Sequence, residues 1–260
     1  MKKIALVLLS IFSTVSLSFG ATTKDTCESQ GEDFIFAAGE CIQYAVSEGD
    51  TEGIINIIVH GTWDKGTNTL GRYAPFAETL SMNTDITSIA VALPGYSKST
   101  TNKLKDLTHG GASVYTKEYI NFMAALVEAL KAKFEAKTVN YIGHSAGASL
   151  GVNMLVLHPK VVDTLTAAGG RFNLAKFKEN EKKDLVTIDT GLDKVGQTKL
   201  LLVYGTEDKI SKPVVTTDFY EKAKKAGLDV KLIKAEGAAH IDLDMTDASV
   251  DAITQMVTPE

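Results

Sequence analysis

The sequence predicts an α/β fold: a mostly parallel, doubly wound sheet that opens with an N-terminal antiparallel hairpin. Two observations predict it. From residue 32 onward, apolar runs of strand length alternate with longer stretches of helical period, the pattern of right-handed crossovers between parallel strands. The 260 residues are 44% apolar and 23% charged with only 5 Pro, which suits one globular domain with a sizeable core and excludes disorder, collagen and coiled coil.

Asp33 to Ala37 and Cys41 to Val46, joined by Ala38-Gly39-Glu40, read as the hairpin. Ile54 to Val59 is a nearly continuous β-branched run, as a strand buried on both faces requires. A helix near Arg72 to Met82 and a strand at Ile86 to Leu93 follow, the strand stopped by Pro94-Gly95. Tyr119, Ile120, Phe122, Met123, Leu126, Val127, Leu130 and Phe134 recur at three-and-four spacing and predict one long helix. The chain continues with strand Thr138 to Ile142, helix Ala146 to Leu157, strand Val162 to Ala167 and a lysine-rich linker. Strand Leu200 to Tyr204, helix Val214 to Ala226, strand Val230 to Ile233 and helix Thr246 to Val257 complete it.

Residues 1–20 stand apart from this domain, which is expected to span residues 21–260. Lys2 and Lys3 precede an apolar stretch from Ile4 to Phe12, and Ser18 and Gly20 are small residues before a cleavage point at Ala21. That is the pattern of a removable secretory signal, and its serines and threonine dilute it below a membrane anchor. The product is expected to be exported, periplasmic or secreted, with no stable membrane anchor. The only cysteines, Cys27 and Cys41, form an even pair in a chain that reads as exported, which favours a disulfide over a metal site or a catalytic thiol. The net charge of −5 and the absence of any Lys/Arg block argue against nucleic acid as a partner.

In open sheets of this kind ligands bind beyond the carboxyl ends of the strands. Gly143-His144-Ser145-Ala146-Gly147 lies between a predicted strand and a predicted helix. A sharp turn there lifts the Ser145 hydroxyl out of the sheet, and the backbone N–H of Ala146 faces an oxyanion formed on an attacked carbonyl. His60-Gly61-Thr62-Trp63 follows the strand Ile54 to Val59. It offers a second N–H, from Thr62 or alternatively from Trp63; an ordinary strand-end turn with His60 bonded to backbone is the plainer reading. A serine nucleophile needs a base, and the base needs an orienting carboxylate.

Two later strand ends offer these groups. His240 follows Glu236-Gly237-Ala238-Ala239, with His109 in a polar loop as its main rival. Asp208 is preferred to its neighbour Glu207 because Asp208-Lys209-Ile210-Ser211-Lys212-Pro213 leads into a proline-opened helix. Asp242 and Asp244 read as solvated surface. His144, beside the nucleophile, points the wrong way to take its proton, and His158 reads as a capping or surface residue.

On these residues the chain resembles α/β-hydrolase fold serine hydrolases over residues 32 to 258. The matching pieces are the opening hairpin, His60-Gly61, Pro94-Gly95-Tyr96, the elbow at Gly143 to Gly147, Gly205-Thr206-Glu207-Asp208 and Gly237-Ala238-Ala239-His240. The resemblance implies a Ser145/Asp208/His240 triad and an oxyanion hole from Thr62 and Ala146. Ser97 stands where such proteins usually carry a second glycine, a departure expected to reshape the pocket wall. His60, Gly61, Trp63, Tyr96, His109 and His144 are expected around that pocket. The linker from Arg171 to Lys199 is short and polar for a cap, so a modest, partly open pocket is expected, suited to small or medium soluble esters rather than lipid interfaces. No metal or organic cofactor is expected. The rivals are a serine peptidase or amidase, an acyltransferase and a non-catalytic exported binding protein.

Overall fold

A computed structural model describes residues 21–105, 107 and 111–259; the signal-like segment and His109 lie outside them. The elements in order are α1 (Lys24–Glu28), β1 (Phe34–Ala37), β2 (Glu40–Ser47), β3 (Thr51–Val59), α2 (Leu70–Thr84), β4 (Ile86–Val91) and α3 (Lys117–Lys133). They continue with β5 (Thr138–His144), α4 (Ala146–Leu157), β6 (Thr164–Ala168), α5 (Glu179–Lys182), β7 (Lys199–Gly205), α6 (Pro213–Lys225), β8 (Val230–Ala235) and α7 (Asp247–Val257). The eight strands form one sheet in the order β1-β2-β4-β3-β5-β6-β7-β8. β1 and β2 pair antiparallel, β2 meets β4 antiparallel, and β4 through β8 run parallel.

The hairpin turn is tighter than the sequence suggests. Only Ala38 and Gly39 lie outside the strands, both at positive φ, the conformation whose twist matches flanking strands. Glu40, assigned to the turn from sequence, instead begins β2 and is fully buried. Its carboxylate accepts from the N–H groups of Asn102, Lys103 and Leu104 and from the Thr100 hydroxyl, so it anchors the loop beyond β4. The disulfide is present, joining Cys27 of α1 to Cys41 of β2. With Phe34 it forms a small cluster separate from the main core.

Ile55 to Val59 are buried at every position, so the sheet is covered on both faces. α3 packs on α4, and α2 on α7. Within the sheet a polar ladder crosses four strands. Asn56 donates to Ser88 Oγ at 3.0 Å, Asn140 donates to Asn56 Oδ1 at 3.0 Å, and Thr164 donates to Asn140 Oδ1 at 2.7 Å. These residues face one another in the strand register, and a one-residue slip would leave them unpaired in an apolar interior. The ladder therefore aligns the carboxyl ends of β3, β5 and β6 on one rim. The strand order reverses between β3 and β5, the place where such sheets open a crevice.

Two stability tests follow from this architecture. Replacing both Cys27 and Cys41 by Ser should lower the unfolding free energy by about 3 kcal/mol, the chain-entropy value for a loop of roughly 15 residues, measured by urea titration. Asn140→Leu orphans Asn56 Oδ1 and the Thr164 hydroxyl and should cost about 2 kcal/mol or more; an unchanged midpoint would show that the ladder does not hold the register.

Candidate active site

Ser145 occupies the single residue between β5 and α4, at φ 54° and ψ −111°. This conformation is strained for a residue with a Cβ, and the flanking glycines make it possible. A Cβ on Gly147 would stand 2.3 Å from the Val59 carbonyl oxygen, and one on Gly143 would stand 2.6 Å from the Ala148 nitrogen. The Ser145 N–H is held by the Ala168 carbonyl at 2.8 Å. The elbow is thus pinned between β3 and β6, with the hydroxyl projecting beyond the rim.

The loops after β7 and β8 bring the other two side chains to it. His240 Nε2 lies 2.8 Å from Ser145 Oγ, and His240 Nδ1 lies 2.7 Å from Asp208 Oδ2. The carboxylate can only accept, so Nδ1 carries the proton and Nε2 accepts from the serine hydroxyl. Asp208 Oδ1 accepts the N–H groups of Ile210 and Ser211, each at 2.8 Å. Burial alone would raise the Asp208 pKa, but the His240 hydrogen bond and charge, with those two N–H groups, outweigh it and hold the carboxyl below its ordinary range. Glu207, the sequence alternative, is exposed, and His109 lies outside the described residues.

A cavity of about 140 Å³ opens at this point, with Thr62, Tyr115, Ser145, Ala146, Ser149 and His240 in its wall. Ala146 opens α4, where a first-turn N–H has no intrahelical acceptor. Thr62 reaches the same cavity because Gly61 lies directly against Ser145: a Cβ there would be 2.8 Å from the serine Cβ. The Trp63 N–H, the alternative donor, turns away to the Tyr96 hydroxyl at 3.4 Å.

Several residues expected around the pocket stand behind it instead. His60 is fully buried, with Nδ1 2.6 Å from the Gly61 carbonyl and Nε2 accepting the Leu93 N–H at 2.9 Å. Burial lowers its pKa to about 4, so it is a neutral, satisfied core histidine. Tyr96 is buried and hydrogen-bonds the Trp63 and Leu107 carbonyls, tying two loops together. Trp63 packs beside the Arg72 guanidinium, and Gly61 contributes its compactness rather than pocket surface. Ser97 takes a φ of 49°, which a glycine would adopt without strain, and its hydroxyl accepts the Leu70 N–H at the start of α2. None of these residues lines the cavity.

His144 is likewise buried, but it does bear on the site. Its Nε2 lies 2.8 Å from the His240 carbonyl oxygen, and its Nδ1 lies 2.9 Å from the Tyr73 hydroxyl. A carbonyl accepts, so Nε2 carries the proton and the ring braces the backbone of His240. Burial is the largest influence on its pKa and lowers it, which keeps the ring neutral. Asp244, read from sequence as solvated, is 1% exposed, and its Oδ1 lies 3.5 Å from Arg72 Nη2. Arg72 also reaches Asp242 at 3.5 Å and donates to the Ile241 carbonyl. This bracing network was missed because its members lie on α2, the elbow and the loop after His240, distant in sequence. The helical spacing of Arg72 and Tyr73 carries no sign of it. Among the described residues no group of three His, Cys, Asp or Glu side chains is arranged to hold a metal.

Comparison with known proteins bears on the fold. No curated protein matches the chain. An esterase from Pyrococcus furiosus superposes with a TM-score of 0.66 at 19% identity, covering 86% of this chain and 88% of that one. Est1E from Butyrivibrio proteoclasticus, solved with ferulic acid bound, gives 0.62 at 16% identity, with 86% and 95% covered. A meta-cleavage product hydrolase from Pseudomonas fluorescens gives 0.65 at 15% identity, with 86% and 96% covered. At these identities the likeness is one of fold. Residues 57–189, just over half of the sequence, match the family described as alpha/beta hydrolase fold, and the chain belongs to that family.

Proposed function

We propose that the protein is a serine hydrolase that cleaves small or medium carboxylic esters through an acyl-enzyme on Ser145. The observation that carries this reading is the continuous hydrogen-bonded path from Ser145 Oγ through His240 to Asp208, at 2.8 and 2.7 Å. Membership of the alpha/beta hydrolase fold family supports hydrolysis, and the small cavity supports a short substrate, since pockets for drug-sized ligands run to roughly 300–1,000 Å³.

In the proposed reaction Ser145 Oγ attacks the ester carbonyl carbon while its proton passes to His240 Nε2. The carbonyl π electrons move to oxygen, and the resulting oxyanion accepts the N–H groups of Thr62 and Ala146. Collapse of the tetrahedral intermediate breaks the bond to the alcohol, which leaves with the proton from His240. Water then repeats the sequence on the acyl-enzyme, releasing the acid and restoring the serine. Asp208, kept ionised by the donors around it, fixes the imidazole tautomer and balances the positive charge that His240 gains. The strained backbone at Ser145 supports the same role, because strain of this kind is retained where a surrounding structure imposes it for function.

We also propose that residues 1–20 direct export, a reading that the Cys27–Cys41 bond supports because disulfides persist in oxidising compartments.

A fluorophosphonate should label one peptide, that containing Ser145. Ser145→Ala should abolish the label and reduce turnover of short p-nitrophenyl esters by about 10⁴-fold or more with an unchanged unfolding midpoint. Near-normal cleavage by that variant would refute the assignment, and a preference for aminoacyl amides over esters would redirect it to an amidase.

A further inference from the structure

Two cations share the wall of the cavity at Ser145. Arg171, which follows the Gly169-Gly170 pair beyond β6, and Lys176 both line it, and no Asp or Glu does among the described residues. The guanidinium is fixed in place: Arg171 Nη2 donates to the Ile210 carbonyl at 3.0 Å, and Ile210 borders the same cavity. That bond occupies one of five N–H donors. The Arg171 backbone is held too, its N–H by Ser149 Oγ at 2.8 Å and its carbonyl by the Tyr115 hydroxyl at 3.3 Å. Lys176 Nζ lies 5.7 Å from the centre of the Tyr115 ring and 4.7 Å from that of Phe177. Tyr115 thus touches both residues, the Arg171 backbone through its hydroxyl and the Lys176 ammonium through its ring.

The two charges act on each other. Burial lowers the Lys176 pKa, and repulsion from Arg171 lowers it further. A carboxylate in the cavity that both residues border would interact favourably with each charge. Ser113, Ser149 and Ser211 also border the cavity, beside the apolar Leu107, Val114 and Ile210.

We propose that the substrate is an ester carrying a carboxylate of its own, which Arg171 and Lys176 hold while the ester carbonyl lies at Ser145. This rests on the esterase reading above and narrows it to a charged substrate class. The planar fork of arginine matches a carboxylate, and the small cavity favours a half-ester of a short dicarboxylic acid or a short ester of a hydroxy acid. The carboxylate is the shared chemistry, and the assay separates its two positions.

The test compares kcat/KM within two pairs. p-Nitrophenyl hemisuccinate against p-nitrophenyl butyrate places the charge on the acyl side, and 4-acetoxybenzoate against phenyl acetate places it on the alcohol side. In one pair the wild-type protein should favour the charged ester by roughly 10-fold or more, as a charge-assisted hydrogen bond allows. Arg171→Gln should reduce that ratio by about 10-fold and Lys176→Gln by about 3-fold, and roughly 0.5 M salt should shrink it in the wild type. Should Arg171→Gln fail to fold by thermal scan, Arg171→Lys, which keeps the charge without the fork, replaces it.

A ratio at or below one in both pairs, or one that neither variant changes, overturns the proposal. If neutral esters are cleaved and Ser145 is labelled in that case, the esterase reading stands and only the charged substrate falls. If no ester is cleaved the esterase reading fails, and calorimetry with glutarate decides the anion site: saturable binding weakened about 10-fold by Arg171→Gln supports it, and no binding overturns it.

Discussion

The site depends on how closely α4 approaches the end of β3. At Gly147 the helix meets the Val59 carbonyl at a distance that no side chain fits, and Gly61 on the next loop meets Ser145 in the same way. Those two contacts remove the freedom that the turn would otherwise have. With the β5–α4 turn pressed onto β3, Ser145 has little choice but its left-handed conformation, and Thr62 and Ala146 border one cavity. The polar ladder from Ser88 to Thr164 supplies the other half of the constraint, because it sets the strand ends level. Donors fixed in this way, as proposed for the Thr62 and Ala146 N–H groups, need not reorganise when charge develops.

The imidazole is fixed by a different means. His240 begins a 3₁₀ turn rather than a strand or a long helix, so its position depends on what holds its backbone. His144 donates to the His240 carbonyl, Arg72 donates to the next carbonyl, at Ile241, and Asp244 turns inward to pair with Arg72. Burying this ion pair costs desolvation that its attraction does not repay by a wide margin. Its evident return is the placement of a loop that carries the proposed base. The neutral state of His144 suits this task, since a neutral ring can donate to a carbonyl and accept from Tyr73 at once.

Much of the fold was legible because it rests on local signals. The β-branched run at Ile54 to Val59, the stripe from Tyr119 to Phe134 and the glycines around Ser145 each announce an element within a few residues. Boundaries moved where pairing, which no local pattern encodes, extended a strand: β3 begins at Thr51 rather than Ile54, and β5 runs on to His144. The short helix α1 was missed, being a single capped turn tied down by the disulfide. At the site, Ser145, Asp208 and His240 were readable because each follows a strand, and the structure brings all three together. Burial was not readable in the same way. His60, Tyr96 and His144 neighbour the motifs in sequence, which suggests the pocket wall, yet adjacent residues at a strand end point to opposite sides. Asp244 reads as solvated from sequence because its partner, Arg72, lies on a distant element, α2. The linker's many lysines concealed Lys176, and only the third dimension sets it and Arg171 beside Ser145.

The loop from Asp208 to Ser211 connects these levels. Its carboxylate orients His240, its Ile210 and Ser211 N–H groups hold that carboxylate, its Ile210 carbonyl anchors Arg171, and the Ser211 hydroxyl donates to the Gly170 carbonyl at 2.7 Å. One short segment therefore sets both the direction of the imidazole and the position of a wall cation. A shift of that segment would move the Asp208 carboxylate and the Arg171 guanidinium together, because both are held by neighbouring backbone groups of the same short loop.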